Sequence, residues 1–314
     1  MDFARCSTRP QRGFSLIEVM VAMVIGIVIL LGLSQVFISN SRTSLEIDRV
    51  GRQIENGTYA LQLLEDELTN AGFWGEAGAQ SVGALPELCP DTVAELTLAM
   101  GYPVQGEGAG GCVDPKDESD LIAVRRASTC AAGVGGCAAL SVADIALQVA
   151  ACADAAAAEV PGEVEIAQGS AGLTATRRDC VNTAPIYRFL SRTYFVDDND
   201  VLTREELTGG AYVATPLVDG IEMLRFEYGL DTDGDGQVDS FTAAPVGADW
   251  SDVVVVKVSL VARNQDQTLG YNDTRTYTVG GRAYTVPDDL KGFKRQVYST
   301  SVHLRNVSGR REQP

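Results

Sequence analysis

The carboxylate of Glu18 stands in an otherwise apolar stretch of this 314-residue chain. From Phe14 to Ile38 the only clearly polar residues are Ser15, Glu18, Ser34 and Gln35. An apolar run of about 20 residues is long enough for a helix to cross the hydrocarbon core of a membrane. A carboxylate inside a membrane is costly and needs a cationic partner. Glu18 is therefore a candidate for a functional ion pair.

A second group of carboxylates recurs at short intervals near the middle of the C-terminal half. This spacing, with Gly236 after the third carboxylate, matches the first nine positions of an EF-hand-type calcium loop. In that scheme the ligands are Asp231, Asp233, Asp235, the backbone carbonyl of Gln237, and Asp239. The twelfth position, where a bidentate Glu is expected, holds Thr242, and no flanking helices are predicted. The loop is either a calcium site or a polar hairpin turn, and no cofactor is required.

Six of the seven cysteines lie in a region rich in Gly and Ala: Cys89, Cys112, Cys130, Cys137, Cys152 and Cys180. In a chain exported to an oxidising compartment, they indicate three disulfides. A zinc site is disfavoured because there is no Cys-x-x-Cys pair and the only histidine, His303, is distant in sequence. About fifteen connectivities are open to six cysteines. Pairing local in sequence would give Cys89–Cys112, Cys130–Cys137 and Cys152–Cys180.

Composition excludes several classes of function. The net charge of -17 and the absence of a basic patch argue against nucleic acid and against a basic membrane-binding surface. One histidine is poor material for acid–base catalysis. The run Gly169-Ser170-Ala171-Gly172 lacks the spacing of a nucleophile elbow. We therefore expect no enzymatic activity.

The apolar stretch that carries Glu18 follows three arginines, Arg5, Arg9 and Arg12. The positive-inside rule then predicts a single-pass protein with its N-terminus in the cytoplasm. A plain signal anchor would explain the arginines but not Glu18. An ordinary secretory signal carries its cleavage site after the apolar run, whereas here Gly13 precedes it.

The run Gly13-Phe14-Ser15-Leu16-Ile17-Glu18 resembles the prepilin motif of type IV pilins and type II secretion pseudopilins. The resemblance implies that a peptidase cleaves between Gly13 and Phe14 and that Phe14 becomes the methylated N-terminus. It also implies that Glu18 pairs with the terminal amine of a neighbouring subunit.

Beyond Ile38 an apolar stripe at helical spacing predicts that the helix continues to a stop at Gly72. We expect this stripe to pack on the chain's own head: Ile47, Val50, Ile54, Gly57, Leu61, Leu64 and Leu68. The segment from Tyr59 to Gly75 is similar to the end of the long helix in PilW-type minor pilins. The segment from Trp250 to Arg263 and the closing Leu304-Arg305-Asn306 are also similar to that family.

The C-terminal part alternates as strands do, which predicts an α+β fold with an antiparallel sheet. Short strands at 121–124 and 145–149 precede strands at 186–190 and 193–196, and the latter forms a hairpin with 201–207. Further strands are expected at 221–228, at 253–263 as the central one, at 274–279 and 282–286 as a hairpin, and at 296–306. The resemblance implies the type IV pilin-like arrangement, in which the sheet packs on the long helix.

We expect five parts: a leader (1–13), a transmembrane and filament-core helix (14–38), an amphipathic helix half (39–72), a disulfide-rich variable region (73–184) and a β-sheet region (185–314). The resemblance implies a minor pilin that joins other minor pilins in a priming complex at the pilus tip. The major pilin and a tip adhesin are further expected partners. The chain would sit in the inner membrane with its C-terminal domain in the periplasm before it enters the pilus. A type II secretion pseudopilin of the J kind is the alternative, and a membrane-anchored periplasmic hydrolase is a remote one.

Overall fold

The computed structural model describes residues 13–78, 80–106, 112–154 and 159–312. The leader expected at 1–13 therefore lies outside the described residues except for Gly13. The chain forms two compact units, the first ending at Val50 and the second comprising Gly51–Pro314.

The first unit contains the N-terminal part of helix α1 (Leu16–Thr69). Its large apolar side chains are exposed all round, as Ile25 at 53%, Leu30 at 64% and Phe37 at 74% illustrate. A helix that is apolar on every side is stable only where lipid or other helices cover it. Among the described residues, α1 is the one helix whose length and composition would allow it to cross a membrane.

The second unit, the head, contains the C-terminal part of α1, which buries one narrow face. The buried positions are Gln53, Gly57, Ala60, Leu64 and Leu68. The predicted stripe is therefore only partly right, because Ile47 and Ile54 are 65% and 47% exposed. Gln53 lies on the buried face because its Nε2 donates to the carbonyl oxygens of Ala262, at 2.7 Å, and Lys294, at 3.1 Å. A buried amide that satisfies two carbonyls is stable where an apolar side chain would leave them unpaired.

One antiparallel sheet of seven strands combines residues from both sides of position 185. Its strands are β1 (Val104–Gln105), β2 (Ile122–Ala131), β3 (Ile145–Val149), β4 (Val164–Gln168), β5 (Ile186–Val196), β6 (Val201–Thr208) and β7 (Ala211–Asp219). The central strand β5 pairs with β2, β3 and β6. The cysteine-rich region is thus part of the sheet, and the expected division at 184/185 falls inside it.

Several elements of this sheet differ from the sequence prediction. Strand β5 is continuous where two strands were expected, while β4, β7 and the short helix α2 (Val93–Ala99) were missed. Pro216 lies within β7, and proline is confined to edge strands because it lacks the N–H that a ladder needs. In agreement with that rule, β7 pairs only with β6 among the described strands.

The remaining strands form a second antiparallel sheet and a separate hairpin. They are β8 (Ile221–Leu230), β9 (Ser240–Thr242), β10 (Val253–Arg263), β11 (Thr276–Val279), β12 (Arg282–Thr285) and β13 (Arg295–His303). The order β13-β10-β8-β9 places β10 in the interior, as predicted, and β11 pairs with β12 across Gly280-Gly281. The α+β class with a long N-terminal helix is confirmed, although two sheets rather than one carry the head.

The last predicted strand is wrong at its end, because residues after His303 turn into helix α3 (Arg305–Arg311). Asn306 donates its side-chain N–H to the carbonyl oxygens of Thr69, at 3.4 Å, and Ala71, at 3.2 Å. Arg310 donates to the carbonyl oxygen of Gly72, which has the predicted left-handed conformation with φ +69°. Helix α3 thereby satisfies the carbonyls that the end of α1 leaves open.

The main hydrophobic core joins α1 to both sheets. Leu64 and Leu68 lie in one cluster with Val124 of β2, Phe226 of β8 and Val256 of β10. A second cluster under the seven-stranded sheet is centred on Trp74, whose ring stacks on Phe189 with 5.2 Å between centroids. The turn after α1 therefore anchors the helix end to the cysteine-rich half of the head.

Gly57 provides the first test of this packing. A Cβ added at Gly57 would lie 2.4 Å from the ring of Tyr298, whereas one added at Gly51 would meet nothing within 4 Å. We expect Gly57→Leu to lower the free energy of unfolding of the head by about 1–3 kcal/mol through overpacking. Gly51→Leu should be neutral or raise it by up to about 1 kcal/mol, because leucine is the better helix former. Thermal unfolding of both variants checks this, and equal Tm values would show that α1 does not dock as described.

Candidate functional site

The residues of the predicted processing site lead directly into α1. Gly13, Phe14 and Ser15 are non-helical, and Phe14 is 87% exposed. The backbone N–H of Ser15 donates to Oε2 of Glu18 at 2.9 Å. One carboxylate oxygen thus satisfies an open N–H at the helix start, where negative charge is favoured. In the described part of the chain, Oε1 of Glu18 has no hydrogen-bond partner.

The aspartate loop connects β8 to β9, so its ends are fixed by a hairpin. Asp231, the first residue after β8, is fully buried and accepts the N–H groups of Gly234, at 2.7 Å, and Gly236, at 2.9 Å. Burial by itself raises the pKa of Asp231, but these N–H groups and Arg311 outweigh it and hold the pKa below its usual value. Asp231 is therefore ionised and forms the inner wall of the loop.

Three of the four predicted carboxylates converge. Oxygen atoms of Asp231, Asp233 and Asp239 all lie within 4.8 Å of one another. Hydrogen bonds from the hydroxyl and N–H of Thr232 lower the pKa of Asp239. The carboxylate of Asp235 is not part of this group and accepts the backbone and side-chain N–H groups of Gln237. Such a set of oxygens suits a calcium ion, with fewer side-chain ligands than the sequence scheme assigned.

Arg311 was not foreseen as part of this loop. Its Nη1 lies 3.2 Å from Oδ2 of Asp231, and its Nη2 lies 2.7 Å from Oδ1 of Asp252. The guanidinium also donates to the carbonyl oxygens of Asp231, at 2.7 Å, and Ser251, at 2.8 Å. A cation from helix α3 thus already compensates part of the loop's negative charge. Nothing in the spacing of the sequence indicates a contact between residues 80 positions apart.

The six cysteines outside the N-terminal segment are joined in three disulfides. The pairs are Cys89–Cys112, Cys130–Cys137 and Cys152–Cys180, with Cα–Cα distances of 6.1, 6.0 and 4.8 Å. These distances are within the range that a disulfide spans. The pairs are those that local pairing in the sequence would give. Cys6 lies outside the described residues.

A cluster of charged side chains between α1 and the seven-stranded sheet was also missed. Glu67 contacts Arg126 of β2 at 3.0 Å and Arg192 of β5 at 2.5 Å, and Arg192 contacts Glu206 of β6 at 2.9 Å. All four side chains are at most 15% exposed. Burial raises the pKa of Glu67, but the two arginines outweigh it and leave the pKa lowered. The cluster fixes the orientation of the helix end on the sheet.

Two family models match this chain. The model described as Type IV Pilus-assembly protein W matches residues 193–306, and the prokaryotic N-terminal methylation motif matches residues 8–34. Residues 193–306 therefore form a PilW region, which follows a prepilin-type N-terminus on the same chain. No curated protein sequence matches it. Among solved structures, a type IV-like pilin from Thermus thermophilus is similar over 82% of this chain and 98% of its own, with 13% identity and a TM-score of 0.39.

The PilW match begins within β5 and ends at Asn306, one of the residues of α3 that contact the end of α1. It includes the whole four-stranded sheet and the aspartate loop, but none of the six disulfide-bonded cysteines. The PilW region and the methylation motif together are those of a structural pilus component rather than of an enzyme. The predicted family and the methylation motif are confirmed.

The disulfides generate a graded stability prediction. In the chain-entropy model, the loop closed by Cys152–Cys180 contributes about 3–4 kcal/mol and the shorter one closed by Cys130–Cys137 about 2 kcal/mol. Their sequence separations are 28 and 7 residues. We expect Cys152→Ser with Cys180→Ser to lower Tm more than Cys130→Ser with Cys137→Ser does. Peptide mapping without reduction identifies the pairs directly, and cross-links between other cysteines would contradict the connectivity.

Proposed function

We propose that this PilW protein is a minor pilin that joins other minor pilins in a priming complex at the pilus tip. Before assembly it is a single-pass inner-membrane protein, with its head in the periplasm. The observation that carries the proposal is the combination of a prepilin-type N-terminus with a PilW region on one chain. The match to a pilus-assembly family favours the pilus over the type II secretion pseudopilus.

The N-terminal segment supports assembly through Glu18. The next basic side chain after Phe14 is that of Arg42, 24 residues beyond Glu18 in the sequence. At 1.5 Å per residue that separation is roughly 36 Å along one helix, so Arg42 of the same chain cannot neutralise Glu18. A carboxylate held in an apolar layer needs a positive partner. We assign this role to the terminal amine of a neighbouring subunit. Cleavage after Gly13 exposes that amine, which is positively charged and lies at the same end of the apolar segment as Glu18.

Two variants separate processing from assembly. Glu18→Ala should be cleaved normally but incorporated poorly, because the neighbouring amine loses its partner in a medium of low dielectric. Gly13→Leu should remain an uncleaved membrane precursor, because the peptidase site admits only a small residue there. Intact-mass analysis and quantification of the protein in sheared pili measure both steps.

Normal pilus incorporation of the Glu18→Ala protein would remove the role assigned to that carboxylate. Deletion of the gene distinguishes the two assembly systems. Loss of pili with intact protein secretion supports the priming role. Loss of secretion with normal pili would instead favour a pseudopilin.

We also propose that the aspartate loop binds calcium weakly. The convergence of Asp231, Asp233 and Asp239 supports this, while Thr242 at the twelfth position and the nearby Arg311 limit the affinity. A dissociation constant of roughly 10⁻⁴–10⁻³ M is typical of extracellular calcium modules. At that strength the ion adds to head stability outside the cell but is not needed for folding.

The calcium proposal predicts an ion-dependent Tm. With a Kd of about 1 mM, calcium at about 10 mM stabilises the folded head by about 1.4 kcal/mol. Asp233→Asn should abolish the increase, whereas Asp235→Asn should retain most of it, because the Asp235 carboxylate lies outside the converging group. The control is Asp114→Ala with Asp117→Ala, which removes two exposed charges elsewhere. A Tm that calcium leaves unchanged would identify the loop as an ordinary turn.

A further inference from the structure

A cleft of about 380 Å³ lies in the head beside the turn that follows α1. Its walls come from that turn, the end of β3, the loop that contains Cys180 and the start of β5. A volume of this size is in the range of small-molecule sites. None of the residues that line the cleft belongs to the segments that match the PilW and methylation models.

The cleft is held open by covalent and buried contacts. The amide of Gln148, which is fully buried, donates to the carbonyl oxygen of Ala184 at 2.6 Å and accepts the N–H of Ala175 at 2.9 Å. The disulfide Cys152–Cys180 closes the same loop. The loop is therefore fixed to β3 at Ala175 and Ala184 before any ligand binds. This lowers the entropic cost of ordering the site on binding.

The floor of the cleft is apolar. Val149 and Ala184 are only 6% and 5% exposed, and Pro185 and the half-buried Tyr187 complete the surface. Such a floor suits a compact ring or an aliphatic body rather than a free inorganic ion.

The rim carries two arginines, Arg177 and Arg178, each of which donates its Nε to a neighbouring acceptor. Nε of Arg177 donates to the carbonyl oxygen of Thr183 at 3.1 Å, and Nε of Arg178 donates to Oε2 of Glu76 at 3.2 Å. Within residues 13–78, 80–106, 112–154 and 159–312, the terminal nitrogens of these arginines have no acceptor. A guanidinium group with free terminal nitrogens fits carboxylates and related oxyanions.

The second carboxylate at the rim, Asp179, is engaged mainly by its own loop and also lies near the charge of Arg177. Asp179 accepts the side-chain N–H of Asn182 at 2.6 Å, the backbone N–H of Asn182 at 2.9 Å and that of Val181 at 3.0 Å. These hydrogen bonds lower the pKa of Asp179 to about 2, so its oxygens are ionised and already engaged. Among the described lining residues, Glu76 is the carboxylate that forms an ion pair with an arginine of the cleft, Arg178.

We infer that the cleft binds a small organic carboxylate, which takes the place of Glu76 against Arg178 while its body rests on the apolar floor. The Arg178 and Glu76 side chains are 80% and 57% exposed, and ion pairs this exposed contribute little to stability. A ligand therefore displaces Glu76 easily, and the rigid loop keeps Arg177 and Arg178 in place for the exchange. The inference is independent of the priming role proposed above.

Saturation-transfer NMR on the full chain in neutral detergent micelles tests this inference. The probes are galacturonate, benzoate and galactose, which separate the carboxylate from the body that carries it. We expect at least one of the two carboxylates to bind, and the neutral galactose to bind about tenfold more weakly or not at all, because charged hydrogen bonds are the stronger ones. A preference between galacturonate and benzoate then identifies a sugar-like or an apolar body.

Two variants that break the same ion pair should act in opposite directions. Arg178→Gln should weaken binding of the preferred carboxylate about tenfold. Glu76→Gln should strengthen it up to about fivefold, because it removes the competing carboxylate. A merely structural role of the pair would shift both variants the same way. Arg52→Gln, an exposed arginine on α1, is the control and should change nothing.

Two outcomes would overturn the inference. One is that neither carboxylate binds at millimolar concentration. The other is that Arg178→Gln and Glu76→Gln change affinity in the same direction.

Discussion

The structure depends on one helix that must satisfy two different surroundings. The first part of α1 is apolar on all sides and is stable only under lipid or among other helices. Its C-terminal part buries a single narrow face, in which Gly57 and Ala60 allow the sheets to approach closely. The same helix therefore cannot be optimised for either environment alone. Its head part is held by that apolar face and by polar contacts at both ends, with Gln53 at one end and Asn306 at the other.

The cysteine-rich region is structurally half of the head. Strand β5 receives β2 along one edge and β3 and β6 along the other, so residues on either side of position 185 share one sheet. Glu67 connects α1 to this sheet through ion pairs with arginines of β2 and β5. In this region the charges, the disulfides and the stacking of Trp74 on Phe189 add to an apolar core that includes Leu96 and Leu147.

Structural features that depend on residues close together in the sequence were predicted, whereas those that depend on distant contacts were not. The apolar run, the stop at Gly72 and the interior strand β10 follow from periodicity and composition, and each is present. The exposure of Ile54 and the burial of Gln53 could not be predicted, because two distant carbonyls decide them. The first two residues of helix α3, Arg305 and Asn306, were predicted as strand because the contacts of α3 with the end of α1 leave no local signal. Arg311 at the aspartate loop was missed for the same reason.

The order of the three disulfides has a consequence for export. Each pair closes before the next pair begins along the chain, from Cys89–Cys112 through Cys130–Cys137 to Cys152–Cys180. In the membrane orientation proposed above, the cysteines would emerge from the translocation channel in sequence order. Oxidation can then follow emergence, because every cysteine meets its correct partner as the most recent free thiol. In a chain with this connectivity, pairing of successive thiols gives the native cross-links without later rearrangement.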